Sequence, residues 1–366
     1  MKATSLHRTK MVAPPLEGPR AAALGLGLLA LGLAAVAAGC GGGDTQPAPG
    51  AGAEPVAAEL QLNWKPEPQF GGYYAAELSG AYARHGLTVR IRPGGASAPT
   101  VDMLGAGTVP FAITSGDEIV RARANGNLLV GLFAAYQTNP QGIMTRASRG
   151  FSTLADVFAH EGTLAMERGL PYSSFLERKY GFDRLRIVPS PFGDLSLYRT
   201  DPTYSMQCFV TAEPLQATKI GIEPKTFLIA ESGYNPYTTV LTTGERFLAG
   251  NRATVEAMVG AVREGWQTYL DDPAPTNEAM HRLNPTMDLD TFAASAEAQR
   301  PLVKGETEAT AAGGEEDGDG SSRLGAMTLA RWLTLVDQLV ELGIVPPGSV
   351  APQECFVDLT GPRAGG

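Results

Sequence analysis

The sequence predicts an α/β protein of two lobes, on three observations. Strand and helix signals alternate regularly from residue 60 to residue 229. Roughly 300 residues follow a low-complexity leader, more than one ordinary core accommodates. After Tyr237 the pattern changes to long amphipathic helices. Regular βα alternation implies mostly parallel sheets with right-handed crossovers.

The elements read in order as follows. Leu60, Leu62 and Trp64 alternate as a half-buried strand, which Pro66 and Pro68 stop. Gly71 and Gly72 let the chain turn tightly into a helix over 73–85, with Gly86 as its end. A strand over 87–91, a helix over 100–104 and an apolar strand over 109–114 follow. Ser115, with Asp117 and Glu118 behind it, opens a helix that ends at Asn125 and Gly126. Strands are predicted over 128–134, 141–145, 162–166, 185–188, 206–210 and 226–229, and helices over 154–158, 172–180 and 214–219. Beyond them, Val255, Met258, Val259, Val262, Trp266, Tyr269 and Leu270 lie at helical spacing, as do Leu329, Trp332, Leu333, Val336, Leu339 and Val340. Trp266 and Trp332 are expected in the core.

The leader sets the compartment. Lys2, Arg8, Lys10 and Arg20 precede an apolar run over 21–39, which ends in Val36-Ala37-Ala38-Gly39-Cys40. Small residues before a cysteine, then three glycines, read as a lipoprotein signal: a signal peptide over 1–39, with lipid on Cys40. Ala37 stands where such signals usually carry Leu, and Met11 is an alternative start. The other reading of the run is an uncleaved membrane-spanning anchor. Both put the globular part outside the cytoplasm. Residues 40–57 are Gly, Ala and Pro with few apolar groups, and read as a flexible tether.

The net charge is −9, and it falls further once Lys2, Arg8, Lys10, Arg20 and Glu17 are removed. An acidic chain without a basic stripe is a poor nucleic-acid binder. Of three cysteines, Cys40 is taken by lipid; Cys208 and Cys355 either pair or stay as thiols, with Cys208 in an apolar run. Residues 305–322, GETEATAAGGEEDGDGSS, read as a disordered acidic insertion. Glu315, Glu316, Asp317 and Asp319 crowd there as a calcium loop would, but without the spacing of an EF-hand.

Enzyme signatures are absent: no G-x-S-x-G, no G-x-x-x-x-G-K and no H-E-x-x-H. His85, His160 and His281 are scattered without metal-ligand spacing, so no metal, cofactor or catalytic residue is expected. Asp117 and Glu118 first compensate a helix dipole, with ligand contact as the alternative.

One stretch carries most of the functional signal. LNWKPEPQFGGYYAA, over 62–76, is a strand-to-turn-to-helix junction, the kind of place at a sheet's carboxyl edge where small ligands bind. It resembles the start of thiamine-pyrimidine-precursor-synthesis-like proteins, the ABC-transporter substrate-binding lipoproteins that capture thiamine-precursor pyrimidines and their riboflavin-binding relatives. SGDEIVRARANG (115–126), QCFVTAEPLQATKIGIEP (207–224), SGYNPYTTVL (232–241) and GAMTLARWLTLVDQLVELGIV (325–345) resemble the same group.

The resemblance implies a type II periplasmic-binding-protein fold, with two α/β lobes, a ligand cleft and two hinge crossings. One lobe is expected at 58–138 plus 240–366 and the other at 139–239, with 237–242 as a hinge. Carried over by position, Trp64 stacks on a heteroaromatic ring, Asn63 bonds its edge with Glu67 beside them, and Gly71, Gly72 and Tyr73 border the pocket. Ser115 and Asp117 belong to the same wall; Glu167, Tyr172, Met206 and Glu213 face them from the second lobe. Phe70 stands where relatives often carry His, which favours a more apolar contact. Residue by residue, other readings stay open: Trp64 packs under the helix, Glu213 caps the helix after it, and Tyr172 staples one.

The resemblance further implies a monomeric, membrane-anchored receptor that hands a thiamine-related pyrimidine or a flavin to an ABC permease and its ATPase. The alternatives are the same fold tuned to a sulfonate or nitrate, and a pyrimidine-synthase-like enzyme that consumes pyridoxal phosphate. The enzyme uses a cysteine-rich motif that this sequence lacks.

Overall fold

The computed structural model describes residues 54–96, 98–305 and 324–360. Two mixed five-stranded sheets, each covered by helices, form the two lobes of a type II periplasmic-binding-protein fold.

The first sheet contains β1 (Val56–Gln61), β2 (Leu87–Arg92), β3 (Phe111–Thr114), β4 (Leu129–Tyr136) and β10 (Thr238–Gly244), in the order β2-β1-β3-β10-β4. The second contains β5 (Gln141–Arg146), β6 (Gly162–Ala165), β7 (Leu185–Val188), β8 (Tyr204–Phe209) and β9 (Pro224–Leu228), in the order β7-β6-β8-β5-β9. In each sheet four strands run parallel to one another, and one strand, antiparallel to both its neighbours, is inserted among them. That inserted strand is β10 in the first sheet, which arrives directly from the second lobe, and β5 in the second, which arrives from the first. Two chain crossings, 137–140 and 229–237, therefore join the lobes.

The first lobe's helices are α1 (Gly71–Leu78), α2 (Ala81–Arg84), α3 (Thr100–Gly105) and α4 (Gly116–Ala124), then α9 (Glu245–Gly250), α10 (Arg252–Asp271), α11 (Ala274–Leu283), α12 (Leu289–Lys304) and α13 (Leu329–Glu341). The second lobe has α5 (Leu154–Ala159), α6 (Pro171–Tyr180), α7 (Ser196–Thr200) and α8 (Glu213–Lys219). Trp266 and Trp332 are fully buried, as the apolar periodicity predicts for α10 and α13. At the outer edge of the first sheet, Gly131 N donates to Cys355 O at 2.9 Å and Ala134 N to Gly325 O at 3.0 Å. The C-terminal chain thus covers part of the free edge of β4.

Several elements differ from the sequence reading. The predicted helix over 73–85 breaks in two, because Gly80 adopts a left-handed φ of 74° between α1 and α2. β1 starts at Val56, within the segment read as tether, and ends at Gln61, so Trp64 stands beyond the strand. β10 continues through the predicted hinge segment as an antiparallel strand, with Thr239 at a φ of 51° and a register shift between Leu241 and Thr242.

Gly71 and Gly72 owe their identity to packing. Both are helical residues of α1, with Gly71 at φ −52° and ψ −44°, so no special turn conformation is required. A Cβ on Gly71 would lie 2.2 Å from the Tyr269 ring, and one on Gly72 2.1 Å from the Trp266 ring. Gly265 of α10 returns the contact against Gly72 O at 2.2 Å. Only bare backbone lets these two helices lie this close.

Cys208 and Cys355 are both free and buried, and burial pushes both thiols up, that of Cys355 to about 12. The pairing alternative is therefore set aside. His85 faces Glu264 (3.3 Å), His160 the Asp156 carbonyl (2.8 Å) and His281 the Met287 carbonyl (2.8 Å). Among the described residues no group of His, Cys, Asp and Glu is arranged to hold a metal, and no helix is long and apolar enough to cross a membrane. The predicted signal peptide, Cys40 and most of the tether lie outside the described residues. So does the acidic insertion beyond Gly305, which is the left-handed cap of α12 at φ 75°.

Candidate ligand-binding site

The first-lobe wall is the loop between β1 and α1. Two side chains, one just past the end of α11 and one on α12, hold its backbone: Asn284 Nδ2 donates to Pro66 O (3.1 Å) and Gln299 Nε2 to Pro68 O (3.0 Å). Gln299 Oε1 in turn accepts from the Tyr136 hydroxyl at 2.6 Å. On this frame Trp64 is half-buried against the core, and its Nε1 donates to Glu67 Oε1 at 3.3 Å. Asn63 is half-buried, and its side-chain amide has no hydrogen-bond partner among the described residues.

Glu67 is unusual for a surface loop. Its carboxyl is raised to about 7, chiefly by desolvation and then by the charge of Glu213. The Trp64 hydrogen bond and the Lys65 charge offset part of that rise. Glu213 belongs to the other lobe, as the first residue of α8. Its Oε2 accepts from Phe209 N at 2.8 Å, and burial raises its carboxyl too. The charge of one desolvated carboxyl, Glu213, thus acts on the other, Glu67, across the lobes.

Phe192 stands beside this pair. It lies in the loop from β7 to α7, and its ring centroid is 6.4 Å from that of Trp64 with a 30° tilt. A Cβ on the adjacent Gly193 would lie 3.8 Å from Glu213 Oε1. Trp64 and Glu67 of the first lobe therefore meet Phe192 and Glu213 of the second.

The other predicted residues fall into three groups. Glu167 and Tyr172 meet at the carboxyl end of β6 through Gln207. Glu167 N donates to Gln207 Oε1 (2.6 Å), Gln207 Nε2 to Glu167 Oε2 (2.9 Å), and the Tyr172 hydroxyl bonds Gln207. Ser115 and Asp117 form the N-terminus of α4. Ser115 Oγ donates to Asp117 Oδ1 (2.6 Å), and Ser115 N to Glu118 Oε2 (2.9 Å) in a capping box. Burial raises the carboxyls of both Asp117 and Glu118. Phe70, Tyr73 and Met206 are fully buried; Tyr73 donates to Thr239 O at 3.3 Å on the strained turn of β10.

One arginine joins the two crossings. Arg331 Nε donates to Asn235 O (2.7 Å), a second nitrogen to Asn235 Oδ1 (2.8 Å), and a third to Gln137 O. Its guanidinium lies 3.9 Å from the centre of the Tyr237 ring, and burial lowers its pKa. Asn235 Oδ1 also accepts from Asn139 N at 2.9 Å, so both crossings meet at one side chain.

Sequence reasoning missed Phe192, Gln207, Asn284, Gln299 and Arg331. For Phe192 a signal existed: an aromatic between Pro191 and Gly193 in a loop without apolar periodicity. The rest are polar residues whose partners lie far along the chain. Two surface depressions, of about 440 and 400 Å³, lie elsewhere: the first is lined by Gln61, Arg92, Gly94 and Met103, the second by Arg146, Gly221 and Glu223. Neither is lined by a predicted site residue.

Residues 67–276, more than half of the chain, match the family model described as NMT1/THI5 like. The chain belongs to the NMT1/THI5-like family. No curated protein matches it in sequence. Among solved structures it is similar to the periplasmic aliphatic sulphonate binding protein SsuA of Escherichia coli. The TM-score is 0.60 at 12% identity, over 83% of this chain and 92% of that one. It is also similar to the periplasmic nitrate-binding protein NrtA of Synechocystis PCC 6803, with a TM-score of 0.55 at 16% identity, over 83% and 86%. The desulfurization enzyme DSZB is a further match, with a TM-score of 0.52 at 12% identity, over 83% and 97%. At these identities the likeness is one of fold, and that fold carries both binding proteins and an enzyme.

Proposed function

We propose that this NMT1/THI5-like protein is the extracytoplasmic solute-binding component of an ABC importer, anchored through lipid on Cys40. It captures a small heteroaromatic solute between its lobes and delivers it to the permease. The observation that carries the reading is the opposition of Trp64 and Glu67 to Phe192 and Glu213 across the cleft. An aromatic face with an unpaired amide at Asn63 suits a flat, polar ring.

The two carboxyls narrow the solute class. A desolvated carboxyl raised further by a neighbouring carboxylate, as Glu67 is by Glu213, is relieved by a hydrogen-bond donor or a cation placed beside it. A thiamine-related aminopyrimidine offers such donors. A sulfonate or nitrate would instead meet Glu67 and Glu213 with the wrong charge, although structural neighbours are named for those anions. We read the chain as a binding protein rather than an enzyme: among the described residues no group is arranged to hold a metal, and His85, His160 and His281 bond to Glu264, Asp156 and Met287 rather than to either glutamate.

Thermal-shift and calorimetric titration of the mature domain with aminopyrimidines, thiamine, riboflavin, alkanesulfonates and nitrate tests the reading. An aromatic solute with a donor edge is expected to bind, and Trp64→Ala to weaken it by roughly 1–3 kcal/mol. Binding of nitrate or a sulfonate alone, or unchanged affinity in a folded Trp64→Ala variant, sinks it.

A further inference from the structure

We propose that Phe192 is a binding residue, the second-lobe face of an aromatic clamp that closes on the flat ring stacked against Trp64. The proposal rests on the solute-binding reading above and adds to it a second face from the other lobe.

Phe192 is out of place by ordinary folding criteria. It is one of the larger apolar side chains left exposed, at 53%, although its neighbours Tyr198 and Tyr204 are buried in the core of the same lobe. Its φ is 49°, in the left-handed region that a bulky residue enters only at a cost. The turn is held by Gly193, at φ 91°, and by Ser190, whose Oγ accepts from Phe192 N at 3.3 Å. Strain that turns an apolar ring away from its own core needs a use elsewhere, and strained residues cluster at ligand clamps.

The direction of the ring supplies that use. Phe192 faces Trp64 with centroids 6.4 Å apart and planes 30° from parallel. A flat ring in van der Waals contact on both faces needs about 7–8 Å between the outer rings, two carbon contacts of roughly 3.5–4 Å. The pair therefore stands slightly closer than one intercalated ring requires. A small lobe movement that also flattens the tilt would admit it. Glu67, bonded to Trp64 Nε1, and Glu213, beside Gly193, lie at the edges of the same slot. The chemistry selected is a planar ring of one or a few fused cycles, with a hydrogen-bond donor at its rim. Because the second face comes from the other lobe, ring binding also favours the closed arrangement.

Two readouts test the clamp. In the ligand-free protein, acrylamide quenching reports on Trp64, since Trp266 and Trp332 are fully buried. Phe192→Ala is expected to raise that quenching; unchanged quenching overturns the clamp. In titrations with 4-amino-5-hydroxymethyl-2-methylpyrimidine, thiamine and riboflavin, the tightest-binding probe is expected to lose roughly 3- to 10-fold in affinity in Phe192→Ala. Phe192→Tyr is expected to stay within about 2-fold of the parent protein, because it keeps the ring face. If Trp64→Ala weakens binding while Phe192→Ala does not, the clamp is wrong and the solute-binding reading stands. If none of the three probes binds the parent protein, both are wrong.

Discussion

The loop that carries Trp64 and the loop that carries Phe192 both follow a parallel strand, yet they are fixed in different ways. The first is tied from outside itself: Asn284 and Gln299, more than two hundred residues along the chain, bond its proline carbonyls, and α1 behind it is pressed onto α10. The second is braced locally, by Ser190 and by an Asp194 that accepts from Ser196 N at 2.8 Å. One wall is thus part of a large core and the other is a short strained turn. In the proposed binding mode, a rigid platform facing a locally held turn fixes the ring plane on one side and lets the other adjust.

That contrast is broken most severely at the platform's support. Gly72→Ala places a methyl group into the Trp266 ring, where the clearance is 2.1 Å. It is expected to cost roughly 3 kcal/mol or more, read as a large drop in melting temperature or loss of soluble protein. Wild-type stability there would refute the tight α1–α10 contact.

The charge on the platform comes next. Glu67 titrates near 7 in the folded chain, against an ordinary value of 4.5. Between those values the folded state holds a proton that the unfolded state has lost. Stability therefore falls as pH rises from about 4.5 to about 7 and levels off above. Glu67→Gln should remove that part of the decline and melt higher than the parent at pH 8, by an amount of order 2 kcal/mol. Asp117, Glu118 and Glu213, all raised by burial, leave a residual slope of the same sign. Equal pH profiles for parent and variant, by thermal melting, would remove the desolvated carboxyl from the platform.

Smaller effects separate the two supports. Asn284→Ala leaves the buried Pro66 carbonyl without its donor and is expected to cost about 1–2 kcal/mol by denaturant titration. Ser190→Ala removes only a 3.3 Å contact in the second loop, and is expected to cost less than about 0.5–1 kcal/mol. Similar losses in the two variants would mean that the loops are equally anchored.

Much of this is legible in the sequence, though not always through the physical cause that the structure shows. The doublet Gly71-Gly72 announces a special junction, although its cause is the approach of Trp266 and Tyr269 rather than a turn. Trp64 and Glu67 belong to one short motif, and the structure joins them by a hydrogen bond. Arg331 gave no signal, since an arginine on an amphipathic helix ordinarily faces water; its partners Gln137 and Asn235 come from two distant segments.

By itself the sequence determined the class of fold, through the βα alternation and the helical periodicities around Trp266 and Trp332, because those patterns are local and repeat along the chain. It also singles out the loop that carries Trp64 and Glu67, which the structure joins by a hydrogen bond. Only the tertiary structure decided what stands opposite Trp64. The pairing of Trp64 with Phe192, and of Glu67 with Glu213, depends on two loops of different sheets meeting across the lobes. Contacts of that kind follow no period, so no spacing in the chain encodes them.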